Sequence, residues 1–174
     1  MLKSQFMSFY KGTPYETGAS ECYNAIEKAL FEQGILSRNT LIGALATVRV
    51  EVGKAYKPIE EYASGEAYEG RKDLGNTQIG DGKRFKGRGY IQLTGRNNYT
   101  RYGLILGIDL VNNPTQALEI NTSAKILSIY FKENNVYKAC ETQDWQRVRT
   151  LVNGGLNNFN LFTNVVEQFL KVSK

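Results

Sequence analysis

Eleven of the 17 glycines fall between Gly53 and Gly107, and this clustering divides the chain more sharply than any other feature. Glycine weakens helix interiors, so that stretch reads as loops with two or three short strands, with regular helix on either side. Upstream, residues 20–34 place Cys22, Ile26, Ala29 and Leu30 on one helical face, and Gly34 suits the stop. Ser37 can cap a second helix in which Leu41, Leu45, Val48 and Val52 recur until Gly53, with Glu51 in its last turn. Downstream, Asn113-Pro114-Thr115-Gln116 offers an N-cap, a proline at the first helical position and a capping-box glutamine. The apolar AKILSIYF that follows predicts a central buried helix. Thr142 can cap a helix carrying Trp145, Val148, Leu151 and Val152 that ends at Asn153-Gly154-Gly155. A last helix is expected near residues 158–172, its Phe159, Phe162, Val166, Phe169 and Leu170 packing on the core.

At 174 residues the chain has the length of one domain, expected to span 1–174. A net charge of +5 favours an anionic partner: nucleic acid, a membrane surface or a bacterial wall. Histidine is absent, which removes Ser-His-Asp and Cys-His catalysis and the usual zinc ligands and leaves carboxylates as the acid–base groups. Cys22 and Cys140 lack metal-ligand spacing and read as two separate thiols. No cofactor or metal is expected. The N-terminal MLKSQFMSFYKGTPYE breaks its apolar run too early for a signal peptide, and nothing downstream approaches a membrane span. Synthesis and folding in the cytoplasm, a monomer and no stable membrane insertion are the expectations.

The densest motif is GDGKRFKGRGYIQLTGRNNY, residues 80–99, and three ligands compete for it. As a phosphate loop it fails, because Arg88-Gly89 stands where lysine and serine or threonine must reach phosphate and magnesium. As an RNA motif it fails, because Arg88 and Leu93 replace aromatics that would stack on bases, and helices dominate where a four-stranded sheet is needed. Nucleic acid is therefore not expected. A sugar site needs amides, hydroxyls, aromatic faces and closely approaching backbone. Gln92, Thr94, Asn97, Asn98, Tyr90 and Tyr99 supply them among the glycines. Strand alternation over 90–94 would put Gln92 and Thr94 on one face. Lys83, Arg84 and Lys86 read as surface charge.

Hydrolysis of a sugar polymer needs two carboxyl groups, one to donate a proton and one to activate water or attack carbon. Glu51 closes an apolar helix, where the negative helix end and poor solvation favour a proton donor, unless it simply pairs with Arg49 or Lys54. Gly53 and Pro58 end that helix and let the chain fold back, so Glu60 or Glu61 can supply the second carboxyl.

Five ordered segments, VRVEVG, YKPIEEY, FKGRGYIQLTGRNNYTRYG, LVNNPTQAL and LVNGGLNNF, resemble glycoside hydrolase family 19, the chitinase and phage-endolysin family. They cover most of residues 38–160. The resemblance implies a lysozyme-like α+β fold, mainly α, in which the glycine-rich region lines a substrate cleft. It implies an inverting mechanism with carboxyls about 6.5–9.5 Å apart. It makes Glu51 the general acid and Glu61 rather than Glu60 the general base, with Thr94 holding the attacking water. It puts Gln92, Asn98 and Asn153 at substrate-contacting positions, and Arg88 and Tyr90 of the same glycine-rich stretch are candidate substrate contacts beside them. Val50 stands where members commonly carry histidine, and no Arg or Lys occurs between Gly155 and Lys171, where many carry a network arginine. The partner that orients Glu51 is then expected from elsewhere in the chain, with Arg88 or another nearby base as the candidate to replace the arginine. The function this implies is an endolysin hydrolysing the β-1,4 glycan strand of peptidoglycan after a membrane breach, without a separate wall-binding domain. A chitinase acting on N-acetylglucosamine polymers and an inactive glycan-binding relative are the alternatives.

Overall fold

Ser37 caps its helix as the sequence requires: its hydroxyl accepts from the Thr40 N–H at 3.1 Å. The computed structural model describes residues 2–171 and is mainly helical. The helices are α1 (Leu2–Ser8), α2 (Glu16–Glu32), α3 (Arg38–Val52), α4 (Asp81–Arg84), α5 (Arg96–Leu106), α6 (Ile120–Glu133), α7 (Val136–Glu141), α8 (Trp145–Asn153) and α9 (Phe159–Lys171). Three short 3-10 turns, Glu66–Tyr68, Lys72–Leu74 and Pro114–Leu118, and two strands, β1 (Ile59–Glu60) and β2 (Arg88–Gly89), complete it. The residues gather into two compact units, one made of the chain up to Lys57 with that from Leu127 onward, the other Pro58–Ile126.

The first unit is built around α3, which packs on α9, α7, α2 and α8. Nine consecutive α3 residues, Thr40 to Val48, are buried, so this helix occupies the centre of the unit; the helix carrying AKILSIYF is buried, as expected, through Ala124, Ile126, Leu127, Ile129 and Phe131. A Cβ at Gly43 would lie 2.5 Å from Cys140 Sγ, so glycine is what lets α7 approach α3. Both cysteines are buried thiols not joined in a disulfide. The Phe6 ring of α1 meets Tyr10, Tyr23, Tyr56 and Phe169 at centroid distances of 5.1 to 5.5 Å. The amphipathic α9 thus packs as expected through Phe162, Val166 and Phe169; its expected end at residue 172 lies outside the described residues.

The second unit holds ten of the clustered glycines, seven of them at positive φ, around one antiparallel strand pair, with Ile59 opposite Gly89 and Glu60 opposite Arg88. Its frame is polar. Buried Asn76 donates to the Tyr68 carbonyl at 2.8 Å and accepts from the Arg96 N–H at 2.9 Å. Asp81, also buried, accepts from Arg96 Nε at 2.8 Å, and that guanidinium first of all holds its carboxyl below the usual range.

Several expectations are corrected. Helix α2 starts four residues before the expected residue 20. Asn113 makes no side-chain cap, and Pro114–Leu118 is a 3-10 turn ahead of α6. Asp144, not Thr142, caps α8, accepting from the Arg147 N–H at 3.0 Å, because Thr142 spends its hydroxyl on the carbonyls ending α7. Residues 90–94 are not an alternating strand: Arg88 and Leu93 exchange backbone bonds at 3.2 and 2.8 Å across a tight turn, with Gln92 at φ 52°. Among the described residues no helix is long and apolar enough to cross a membrane.

Candidate active site

Glu51 sits where the apolar stripe of α3 runs out, and Gly53 at φ 80° ends the helix. Its partner is a buried arginine rather than Arg49 or Lys54. Its Oε1 accepts from Arg149 Nη1 at 2.8 Å, and the Arg149 side chain is 1% exposed against 22% for Glu51. Arg149 Nη2 donates to the Asn157 carbonyl at 2.9 Å, and its guanidinium lies 5.6 Å from the Phe162 ring centre. A buried guanidinium in this position fixes one oxygen of Glu51 and ties the 154–158 loop to the same group. Arg49, one of the two neighbours expected to pair with Glu51, instead faces the Tyr10 hydroxyl. That hydroxyl meets the Tyr56 hydroxyl at 2.7 Å.

Glu51 is thus paired with an arginine of α8, and the sequence carried a signal for it. Arg149 follows Trp145 by four residues, on the stripe shared with Val148 and Val152. A basic residue at such a buried position calls for an acidic partner. Asn153, an expected substrate contact, is exposed at the end of α8.

In the second unit the strand pair separates the two adjacent glutamates. Glu60 accepts from Lys86 Nζ at 2.7 Å and Arg88 Nε at 2.6 Å. Lys86 foremost, with Arg88, holds its carboxyl below the usual range. Glu61 takes quite different partners: Oε1 accepts from the Gly87 N–H at 2.8 Å and Oε2 from the Tyr68 hydroxyl at 3.0 Å. The Glu61 N–H in turn donates to the Gly87 carbonyl at 3.0 Å.

Gly87 brings the expected polar groups together. A Cβ there would lie 2.7 Å from Gln92 Oε1 and 3.4 Å from both the Glu61 carboxyl carbon and Thr94 Oγ1, so these three groups ring one point. Thr94 donates its hydroxyl proton to the Gln92 carbonyl at 2.8 Å, which leaves Oγ1 lone pairs free to accept. Gln92 spends its amide N–H groups on the carbonyls of Ile59 and Gly89, at 3.2 and 3.1 Å, and keeps Oε1 as an acceptor. Asn98 is exposed on the first turn of α5 and donates to the Thr94 carbonyl at 2.8 Å.

Two expected substrate contacts are corrected. The Tyr90 side chain is 0% exposed and offers no ring to a sugar. Arg88 is 6% exposed, and besides Glu60 it donates to the Arg84 carbonyl and the Tyr99 hydroxyl, at 2.8 and 3.0 Å. Its work is internal. Lys86 is half-buried and also reaches the Glu61 carbonyl at 3.2 Å, whereas Arg84 is exposed as expected and donates to the Val111 carbonyl at 3.0 Å. Among the described residues no group of three His, Cys, Asp or Glu side chains could hold a metal ion.

Residues 14–157 match the family model of chitinase class I, glycoside hydrolase family 19. A glycosyl hydrolase family 19 domain-containing protein of Haemophilus influenzae is 32% identical over 107 residues. That stretch is 62% of this chain and 52% of the relative, so the match spans about half the relative's length. Chitinase C from Streptomyces griseus shares the fold at TM-score 0.70 and 19% identity, covering 97% of this chain and 74% of that one. A bacterial family 19 chitinase does so at TM-score 0.69 and 18% identity, covering 95% and 93%.

Proposed function

This chain belongs to glycoside hydrolase family 19, and from that premise we propose that it hydrolyses β-1,4 glycosidic bonds, with Glu51 as general acid and Glu61 as general base. The observation that carries the reading is the grouping of Glu61, Thr94 and Gln92 around Gly87. A water there donates one proton toward Glu61 and the other to Thr94 Oγ1, whose own proton is committed to Gln92. Its oxygen lone pair is then free to attack the anomeric carbon. As that bond forms, the bond to the leaving oxygen breaks and Glu51 supplies the proton that the oxygen needs. Arg149 occupies only Oε1 of Glu51, which leaves the other oxygen to carry this proton. Turnover ends with Glu51 ionised and Glu61 protonated, and solvent resets both.

The substrate is the glycan strand of bacterial peptidoglycan, an anionic polymer that suits a chain of net charge +5. In this reading the protein works as an endolysin, reaching the wall once the membrane is breached. Chitin is the second reading, favoured by the family model's own description. Digestion of purified peptidoglycan beside chitin oligomers, with products identified by mass spectrometry, separates the two. Peptidoglycan fragments with new reducing ends are expected; predominant chitin cleavage reverses the order, and binding without cleavage of either marks a glycan-binding relative.

A further inference from the structure

Tyr68 belongs to no motif of the sequence, yet among the described residues its hydroxyl and the Gly87 N–H are the two donors to the Glu61 carboxylate. The two donors are divided, one to each oxygen. The Gly87 N–H comes from rigid strand-flanking backbone and cannot turn away. Tyr68 is the adjustable one, and it is itself fixed from behind: the side chain of buried Asn76 donates to its carbonyl and accepts from the N–H of Arg96. Arg96 opens α5 two residues after Thr94, so one buried amide ties the segment bearing Tyr68 to the segment bearing Thr94.

We infer that Tyr68 is a positioning residue: through Glu61 Oε2 it sets the rotation of the carboxylate, so that a free lone pair faces the water held beside Thr94. With only the Gly87 N–H in place, the carboxylate is held at one oxygen and can swing about its terminal torsion, which is soft and broad. A second donor on the other oxygen removes that freedom, and hydrogen bonds to ionised groups are the stronger class. Burial first, then the neighbouring Glu61, raises the phenol above its ordinary value, so Tyr68 remains a donor wherever a carboxylate base is ionised.

The inference rests on the reading of Glu61 as base, and its test is arranged so that the two fail separately. In Tyr68→Phe, kcat on the cleaved glycan is expected to fall about tenfold to a hundredfold with KM within about twofold, since the lost bond acts on the base and not on substrate. In carboxyl-13C-labelled protein, the Glu61 carboxyl resonance, assigned by its loss in Glu61→Gln, is expected to move in Tyr68→Phe at pH 7, whatever the activity. An unmoved resonance overturns the inference. So does unchanged kcat, and so does a rise in KM alone, which makes Tyr68 a sugar contact. A wild-type chain that cleaves no glycan overturns the hydrolase reading instead, and the resonance still decides whether Tyr68 holds the carboxylate.

Discussion

Glu51 and Glu61 are carboxylates held by opposite means. Glu51 ends a long helix that is buried through nine consecutive residues, and it is oriented by a charge, the buried Arg149 guanidinium. Glu61 follows a strand of two residues and is oriented by neutral donors, a backbone N–H and a phenol. The ion pair fixes Glu51 at one oxygen, Oε1. Neutral donors fix Glu61 at both oxygens by hydrogen bonds alone. One residue away, Glu60 shows what charge does to a second carboxylate, for two cations occupy it.

The largest effects should come from removing the carboxylates themselves. Glu51→Gln and Glu61→Gln are each expected to lower kcat by about 10²–10⁴-fold with the fold retained by circular dichroism, whereas Glu60→Gln should cost far less turnover. Equal losses in Glu60→Gln and Glu61→Gln would erase the distinction between the two neighbours. Next comes the charged partner. Arg149→Met leaves Glu51 without its guanidinium and frees the Asn157 carbonyl, and about 3 kcal/mol of stability should be lost in urea unfolding; a loss under 1 kcal/mol would mean the pair is not a structural anchor.

Smaller again is the hydroxyl. Thr94→Val should reduce kcat about tenfold or more and Thr94→Ser much less, because serine can still accept from water and donate to the Gln92 carbonyl. Equal rates in the two would remove the water contact. The mildest effect concerns Glu60 and pH. Its carboxyl is held below the ordinary range by Lys86 and then Arg88, so its contribution to stability is full above the unfolded carboxylate value and fades as pH falls through the folded one. Glu60→Gln should therefore destabilise the chain at pH 7 and progressively less toward pH 3, as followed by urea midpoints; a pH-independent difference would contradict this.

The two regions also differ in how legible they were in the sequence. Helix α3 could be read almost to the residue, because a capping serine, a 3.6-residue apolar period and a terminal glycine all act locally. The loop region could be read only as loop. The sequence indicated that Gln92 and Thr94 belong together, but by strand alternation, whereas a turn with Gln92 at φ 52° joins them around Gly87. Tyr90 and Arg88 looked like ligand contacts because aromatic and basic residues beside glycines suit sugars; burial and the Glu60 pairing are long-range facts that no short window contains. Asp144 displaced Thr142 as cap because the end of α7, itself unforeseen, claims the threonine. Arg149 lay on a readable stripe, but its partner is 98 positions away. Tyr68 had no local signal at all.

Direct displacement by water, assisted by two carboxylates, inverts the anomeric carbon. Proton NMR of freshly released reducing ends, recorded before mutarotation during digestion of a β-1,4-linked N-acetylglucosamine oligomer or peptidoglycan strand, tests it most directly. The α-anomer should appear first, and only later equilibrate with β. First appearance of the β-anomer, which requires a covalent intermediate or a second displacement, would contradict the mechanism, and no new reducing ends from either polymer would contradict the hydrolase reading itself.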